Sequence, residues 1–227
     1  MFNEWLWLGF AIVNFCFILA AYQLFGKSGL FGWIALSTIL ANVQVVKTVE
    51  LFGIIATLGN IMYGTGFLAT DILNEKYGRR TAQKGVAIGF FSLLVMTVLM
   101  QIAIRFVPHE FDVSQEALKT IFGIQIRVAV GSLAAYLISQ YVDVRLYSLL
   151  KNKFSSNRYL WVRNNGSTMI SQLLDTLIFC TIAFLGVFPT NEWVMVVLST
   201  YVIKWLVAVL DTPFLYIAKQ LQPKQWD

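Results

Sequence analysis

Charge is what this sequence has least of. Of its 227 residues, 13% are charged and 58% hydrophobic, against roughly 25% charged in an ordinary soluble domain. The mean hydropathy is +0.68. This composition excludes the soluble globular class and leaves almost nothing for a domain outside a membrane. The single histidine, His109, stands beside Pro108 and Glu110 in a polar connection, so imidazole chemistry is absent from the apolar segments. The two cysteines, Cys16 and Cys180, lie in apolar runs without ligand spacing and suit small buried hydrophobes. No Rossmann, Walker or zinc spacing occurs, which excludes a resident cofactor, an ATPase module and a structural metal. Energy for any work must come from a gradient, from trapping of a product or from a partner.

What the chain does have is long apolar runs. They fall at roughly 5–25, 30–48, 53–73, 84–106, 120–146, 163–187 and 193–217, each able to cross a hydrocarbon core of ~30 Å. The expected fold is an all-α polytopic membrane protein of about seven transmembrane helices. The start, MFNEWLW, has no basic residue before the apolar run and no small-residue cleavage site after it, which predicts a retained helix rather than a signal peptide. Basic residues concentrate in alternate connections: Lys27; Lys76, Arg79, Arg80 and Lys84; Lys151, Lys153, Arg158 and Arg163; Lys219 and Lys224. By the positive-inside rule the N-terminus is outside and the C-terminus cytoplasmic, in the inner (plasma) membrane. The formal charge of +5 is thereby accounted for by topology, and nucleic acid is not expected as a partner. Trp5, Trp7, Trp161, Trp193 and Trp226 sit near expected helix ends as interfacial anchors. Gly85 and Gly89 form a GxxxG, which suits close packing either inside the bundle or between protomers of a homo-oligomer.

Several helices carry polar residues that lipid would penalise. A lone Asp at the centre of a membrane helix costs about 2.5–3.5 kcal/mol on insertion scales. Yet the run VRNNGSTMISQLLDT, 162–176, opens the sixth span with Asn164, Asn165, Ser167, Thr168, Ser171, Gln172 and Asp175. Helical spacing collects Asn60, Gly64, Phe67, Asp71 and Glu75 on one side of the third span, and Ser132, Tyr136, Ser139 and Asp143 on one side of the fifth. Tyr201, Lys204, Ala208 and Asp211 do the same in the seventh. Four polar stripes imply a shared polar interior. At ~1.5 Å per residue, Asp175 and Lys204 both come near the midplane of consecutive antiparallel helices. They can pair there, either to hold a ligand or to fix helix register. Asp71 and Asp211 lie nearer the cytoplasmic side, and Pro213 after Asp211-Thr212 marks a kink or hinge. Arg127 stands near the outer end of the fifth span, roughly 140° around from Ser132, able to snorkel outward or to serve as a charge partner.

Four motifs occur in order: LATDILNEKYGRRTA at 68–82; Arg127 with AYLISQYVDVRLYSLLK at 135–151; the NGST and SQLLDT of the sixth span; and YVIKWLVAVLDTPFLY at 201–216. Together they resemble the queuosine precursor transporters, a vitamin-uptake-like family of membrane proteins for 7-deazaguanine bases. The resemblance covers about residues 35–220. It implies a six-helix core, residues 29–220, similar to the substrate-binding subunits of energy-coupling-factor transporters. An additional N-terminal helix, 1–28, would precede it and a cytoplasmic tail, 221–227, would follow. It also implies import of 7-cyano- or 7-aminomethyl-7-deazaguanine for transfer RNA modification, with a small-molecule nucleobase as substrate and the lipid bilayer as surroundings. For such a ligand Asp175 and Asp71 are the expected acceptors, and Lys204, Gln172, Asn42 and Gln44 the polar readers. Asp211 and, as a charge partner, Arg127 join them, with Phe67 or Tyr136 stacking on the bicyclic ring. Two alternatives stand beside this reading: a binding subunit that needs a separate energising complex, and an intramembrane enzyme. The enzyme is disfavoured by the lack of a nucleophile–base pair or metal-ligand cluster.

Overall fold

The computed structural model describes residues 2–45, 47–123, 126–186 and 189–224, with the side chains of all of these except 48, 54–57 and 126–129. Helix α1 runs Phe2–Gln44, but Gly26 breaks it with non-helical angles, φ 57° and ψ −137°. Unbroken, 43 residues would extend about 65 Å. Instead Asn3 Nδ2 donates to the Glu50 carbonyl at 3.3 Å and Phe52 N to Glu4 Oε1 at 3.2 Å. The chain therefore reverses at Gly26, and the two arms, 2–25 and 27–44, correspond to the first two apolar runs. The reversal is tight enough that a Cβ on Gly29 would sit 2.1 Å from the Ala21 carbonyl oxygen.

Between residues 48 and 57 the expectation of helix fails. Strands β1 (Thr48–Leu51) and β2 (Ile54–Thr57) form an antiparallel hairpin, with Leu51 opposite Ile54. Its two-residue turn, Phe52-Gly53, has positive φ at both positions, 53° and 77°, the handedness that matches strand twist. Hydropathy alone does not separate a short apolar strand from helix, and the β-branched residues around Phe52-Gly53 decide for the hairpin. Helix α2 then runs Gly59–Tyr77, α3 Arg79–Ala103, the short α4 Gln115–Phe122, α5 Ile126–Lys153, α6 Leu160–Phe184 after a 3-10 turn at Asn157–Tyr159, and α7 Thr190–Gln220. The fifth run thus starts later than expected, because 115–122 belongs to α4.

Helix α2 is the axis of the bundle. It is buried from Gly59 to Asn74 except at Tyr63, and α1, α3, α5 and α7 pack around it. Phe2–Gln44, Arg79–Ala103, Asn157–Phe184 and Thr190–Gln220 are long and apolar enough to cross a membrane. The α2 sequence is diluted by Asn60, Thr65, Thr70, Asp71, Asn74 and Glu75, which face protein, not lipid. The GxxxG also points inward: a Cβ on Gly85 would meet Ile34 and Leu73, and one on Gly89 would lie 1.9 Å from the Tyr136 hydroxyl. Trp5 and Trp161 are exposed, as anchors should be, but Trp7 is buried and stacks edge-on with Phe52. Trp226 lies outside the described residues.

Most basic residues gather at one end. Lys27 covers the Tyr77 ring, Lys76 Nζ donates to the carbonyls of Lys219 and Leu221, and Lys224 N donates to the Gln23 carbonyl. The hairpin and α4 lie toward the opposite end.

Candidate functional site

The polar stripes of α2, α5, α6 and α7 meet in one buried column. At its first level Asp175, 3% exposed, receives hydrogen bonds on Oδ1 from Tyr63 and, at 3.2 Å, from Ser139. Its Oδ2 pairs with Lys204 Nζ, and that ammonium also lies 4.7 Å from the centroid of the Tyr63 ring, within cation–π range. Tyr63 stands 5.5 Å from Phe67 and 6.3 Å from Tyr136, ring to ring. Gln172, one turn before Asp175 on α6, is 1% exposed. Its Oε1 and the Tyr136 hydroxyl are buried without hydrogen-bond partners. Four residues singled out in the sequence, Asp175, Lys204, Phe67 and Tyr136, thus surround Tyr63, and a fifth, Gln172, lies one turn before Asp175.

One turn toward the basic end, four residues on from Phe67 and from Ser139, come Asp71 and Asp143. Thr168 donates to Asp71 at 3.5 Å and Ser171 to Asp143 at 2.7 Å. Asp211 follows, accepting from Asn164 Nδ2 at 2.7 Å, while the same amide also reaches Thr212 at 3.2 Å. All three carboxyls are buried.

The column ends on Glu75. Arg163 holds its Oε1 at 3.1 Å, Lys219 pairs with the same oxygen, Lys151 stands 3.5 Å from Oε2 and Tyr147 donates to Oε2 at 3.2 Å. Arg163 is fully buried and also donates to the carbonyls of Phe154 and Ser156 at 2.6 and 3.1 Å. A bidentate-capable guanidinium suits this buried junction better than an ammonium would.

The remaining expected residues lie apart. Asn42 donates to Thr38 of its own helix at 2.9 Å and lines a cavity of about 40 Å³ with Leu93, Met96, Gln101 and Ser132. Gln44 is half-buried at the end of α1. The Arg127 side chain lies outside the described residues. A larger crevice of about 1030 Å³ opens at the basic end between Tyr22, Lys27, Lys76, Tyr77 and Pro223. Neither cavity is lined by Asp175 or Lys204, which are 3% and 7% exposed.

Tyr63, Ser139, Asp143 and Asn164 were not among the expected ligand contacts. Ser139, Asp143 and Asn164 do belong to the polar stripes, but Tyr63 lies off the α2 stripe and shows no signal beyond being one turn before Phe67. Arg163 counts as a loop cation in the sequence; in the fold it is the largest fully buried side chain.

A family profile described as "Putative vitamin uptake transporter" matches residues 57–218, which takes in all four column helices. A "Probable queuosine precursor transporter" of Bacillus subtilis is 53% identical over 223 residues, 98% of this chain and 97% of the relative. The chain belongs to the vitamin-uptake-like family of queuosine precursor transporters. Two further relatives are 25% identical: a "Probable queuosine precursor transporter" of Haemophilus influenzae, over 70% of this chain and 66% of the relative, and a "Queuosine precursor transporter" of Escherichia coli, over 78% and 80%. No solved structure matches. This is a family of transporters, not of enzymes.

Proposed function

We propose that this protein imports queuosine precursors, the 7-cyano and 7-aminomethyl 7-deazaguanine bases, across the inner membrane into the cytoplasm for transfer RNA modification. The names of its relatives support the substrate class. The observation that carries the reading is the first level of the column. Three aromatic rings, Tyr63, Phe67 and Tyr136, border an Asp175–Lys204 pair, with two buried polar atoms, Gln172 Oε1 and the Tyr136 hydroxyl, lacking partners. A 7-deazaguanine presents ring N–H and amino donors beside a carbonyl. Gln172 Oε1 and Asp175 can accept from the donors, Lys204 or Tyr136 can donate to the carbonyl, and the rings can stack on the bicycle. Asn42, Gln44 and Arg127 remain proposed as further contacts of the base.

In this reading seven helical rods cross the bilayer: the two arms of α1, then α2, α3, α5, α6 and α7. The basic end is cytoplasmic and the N-terminus outside. The core from residue 29 to 220 is the part similar to energy-coupling-factor binding subunits, with the first arm an addition to it. The test is uptake of labelled 7-deazaguanine bases into cells that cannot make them, followed as modified base in transfer RNA. Expression of this chain should restore the modification, and D175A or K204A should abolish it while the protein stays in the membrane. Full uptake by both variants would overturn the assigned site, and no uptake by the wild type the assigned substrate.

A further inference from the structure

Asp71, Asp143 and Asp211 come from three helices and are 1%, 0% and 1% exposed. The donors that reach them, Thr168, Ser171 and Asn164, are all neutral. The charged groups on the same helices are engaged elsewhere. On α7, Lys204 pairs with Asp175 of α6 above the three carboxyls; below them, Lys219 of α7, Lys151 of α5 and Arg163 of α6 converge on Glu75 of α2, where Tyr147 of α5 also donates. Among the described residues, α1 and α3 bury no charged side chain. Three buried carboxyls therefore have no directly paired cation, the nearest cations being the three that converge on Glu75, one turn from Asp71, and a buried carboxylate without a direct ion pair is relieved by taking up a proton.

The atoms without partners point the same way. Asp71 Oδ1, Asp143 Oδ2 and Asn164 Oδ1 are buried acceptors that no donor reaches. Asn164 is itself 0% exposed, and its amide already lies on Asp211. Asp71 and Asp143 are reached from a single turn of α6, whose Thr168 donates to the first and Ser171 to the second.

We propose that Asp71, Asp143 and Asp211 form a proton-binding site that drives transport from an inward proton gradient. This rests on the transport reading above and supplies its driving force; Asp71 and Asp211 take this role in place of reading the base. A proton from the outer solution converts one carboxylate to a carboxylic acid, and its departure to the cytoplasm regenerates the carboxylate, with no other bond made or broken. Coupling follows from the shared helices: Asp71 is one turn from Phe67, and Asp143 one turn from Ser139, which holds Asp175.

Two measurements test it. Infrared spectra of the purified protein at neutral pH should contain a carboxylic acid carbonyl band that shifts in deuterium oxide and is reduced in D71N, D143N or D211N. No such band in the wild type would overturn the site, with no reference to the substrate. In proteoliposomes with the membrane potential clamped at zero, labelled 7-aminomethyl-7-deazaguanine should accumulate inside about tenfold for each unit by which the outside is more acid, if one proton accompanies each base, since each decade of concentration matches one pH unit. A protonophore should abolish the accumulation, and uptake by D143N should no longer respond to the gradient. Equal accumulation with and without the gradient would overturn the coupling. Should no base enter wild-type vesicles under any condition, the substrate assignment fails and the infrared result alone decides the proton site.

Discussion

Replacing Asp175 by Ala would leave the Lys204 ammonium, 7% exposed, without its counter-ion. Breaking a buried pair from one side costs about 3–5 kcal/mol, whereas removing both charges is often close to neutral. Thermal unfolding in detergent should therefore show a large loss for D175A and a clear recovery in the double variant D175N/K204M. Transport should stay lost in both, because the groups that read the base are gone. If the double variant transports normally, the pair only fixes helix register. The pair itself was legible from depth counting, since both residues sit near the middle of apolar runs on consecutive helices. Its partner Tyr63 was not: one tyrosine among apolar neighbours carries no mark in sequence, and only the tertiary fold brings its hydroxyl to Asp175.

At the scale of elements, the arm-to-arm turn in α1 depends on backbone space more than on side-chain chemistry. A methyl at Gly29 would meet the Ala21 carbonyl oxygen at 2.1 Å, while one at Gly9 would meet nothing within 4 Å. Overpacking typically costs about 1–3 kcal/mol, and more where backbone must move. G29A should therefore lower the unfolding temperature in detergent clearly, and G9A should leave it unchanged. The placement of helices was largely legible from the apolar runs. The 48–57 hairpin was missed because ValGlu and IleIle stretches of four residues are too short for periodicity to separate strand from helix. The short α4 was missed because the apolar count from residue 120 onward runs straight through the break after Phe122. In the column, the stripes of α2, α5, α6 and α7 were visible at helical spacing; their levels were not, since the vertical register of one helix against another is set by contacts distant in sequence.

For the whole molecule, the gathering of basic residues at one end supports the proposed orientation, with that end cytoplasmic. A cysteine placed at Lys153, exposed at that end, should resist a membrane-impermeant maleimide in intact cells and react once the membrane is opened. One at Glu110, exposed on the opposite side, should react in both states. The reverse pattern would invert the topology. The background for this test needs Cys16 and Cys180 replaced; Cys180 is buried and Cys16 is exposed on the apolar first arm.

The turn at Gly26 also has a consequence for how the chain is made. The first arm finds several of its partners nearly two hundred positions downstream: Gln23 donates to the Gln222 carbonyl, Gly26 lies against Pro223, and Phe15 stacks on Phe214 at 4.6 Å. Segments emerge from the ribosome in order, and contacts so distant along the chain form slowly. The helix that is synthesised first is thus among the last to be locked in place, and until α7 arrives its inner face must wait in lipid.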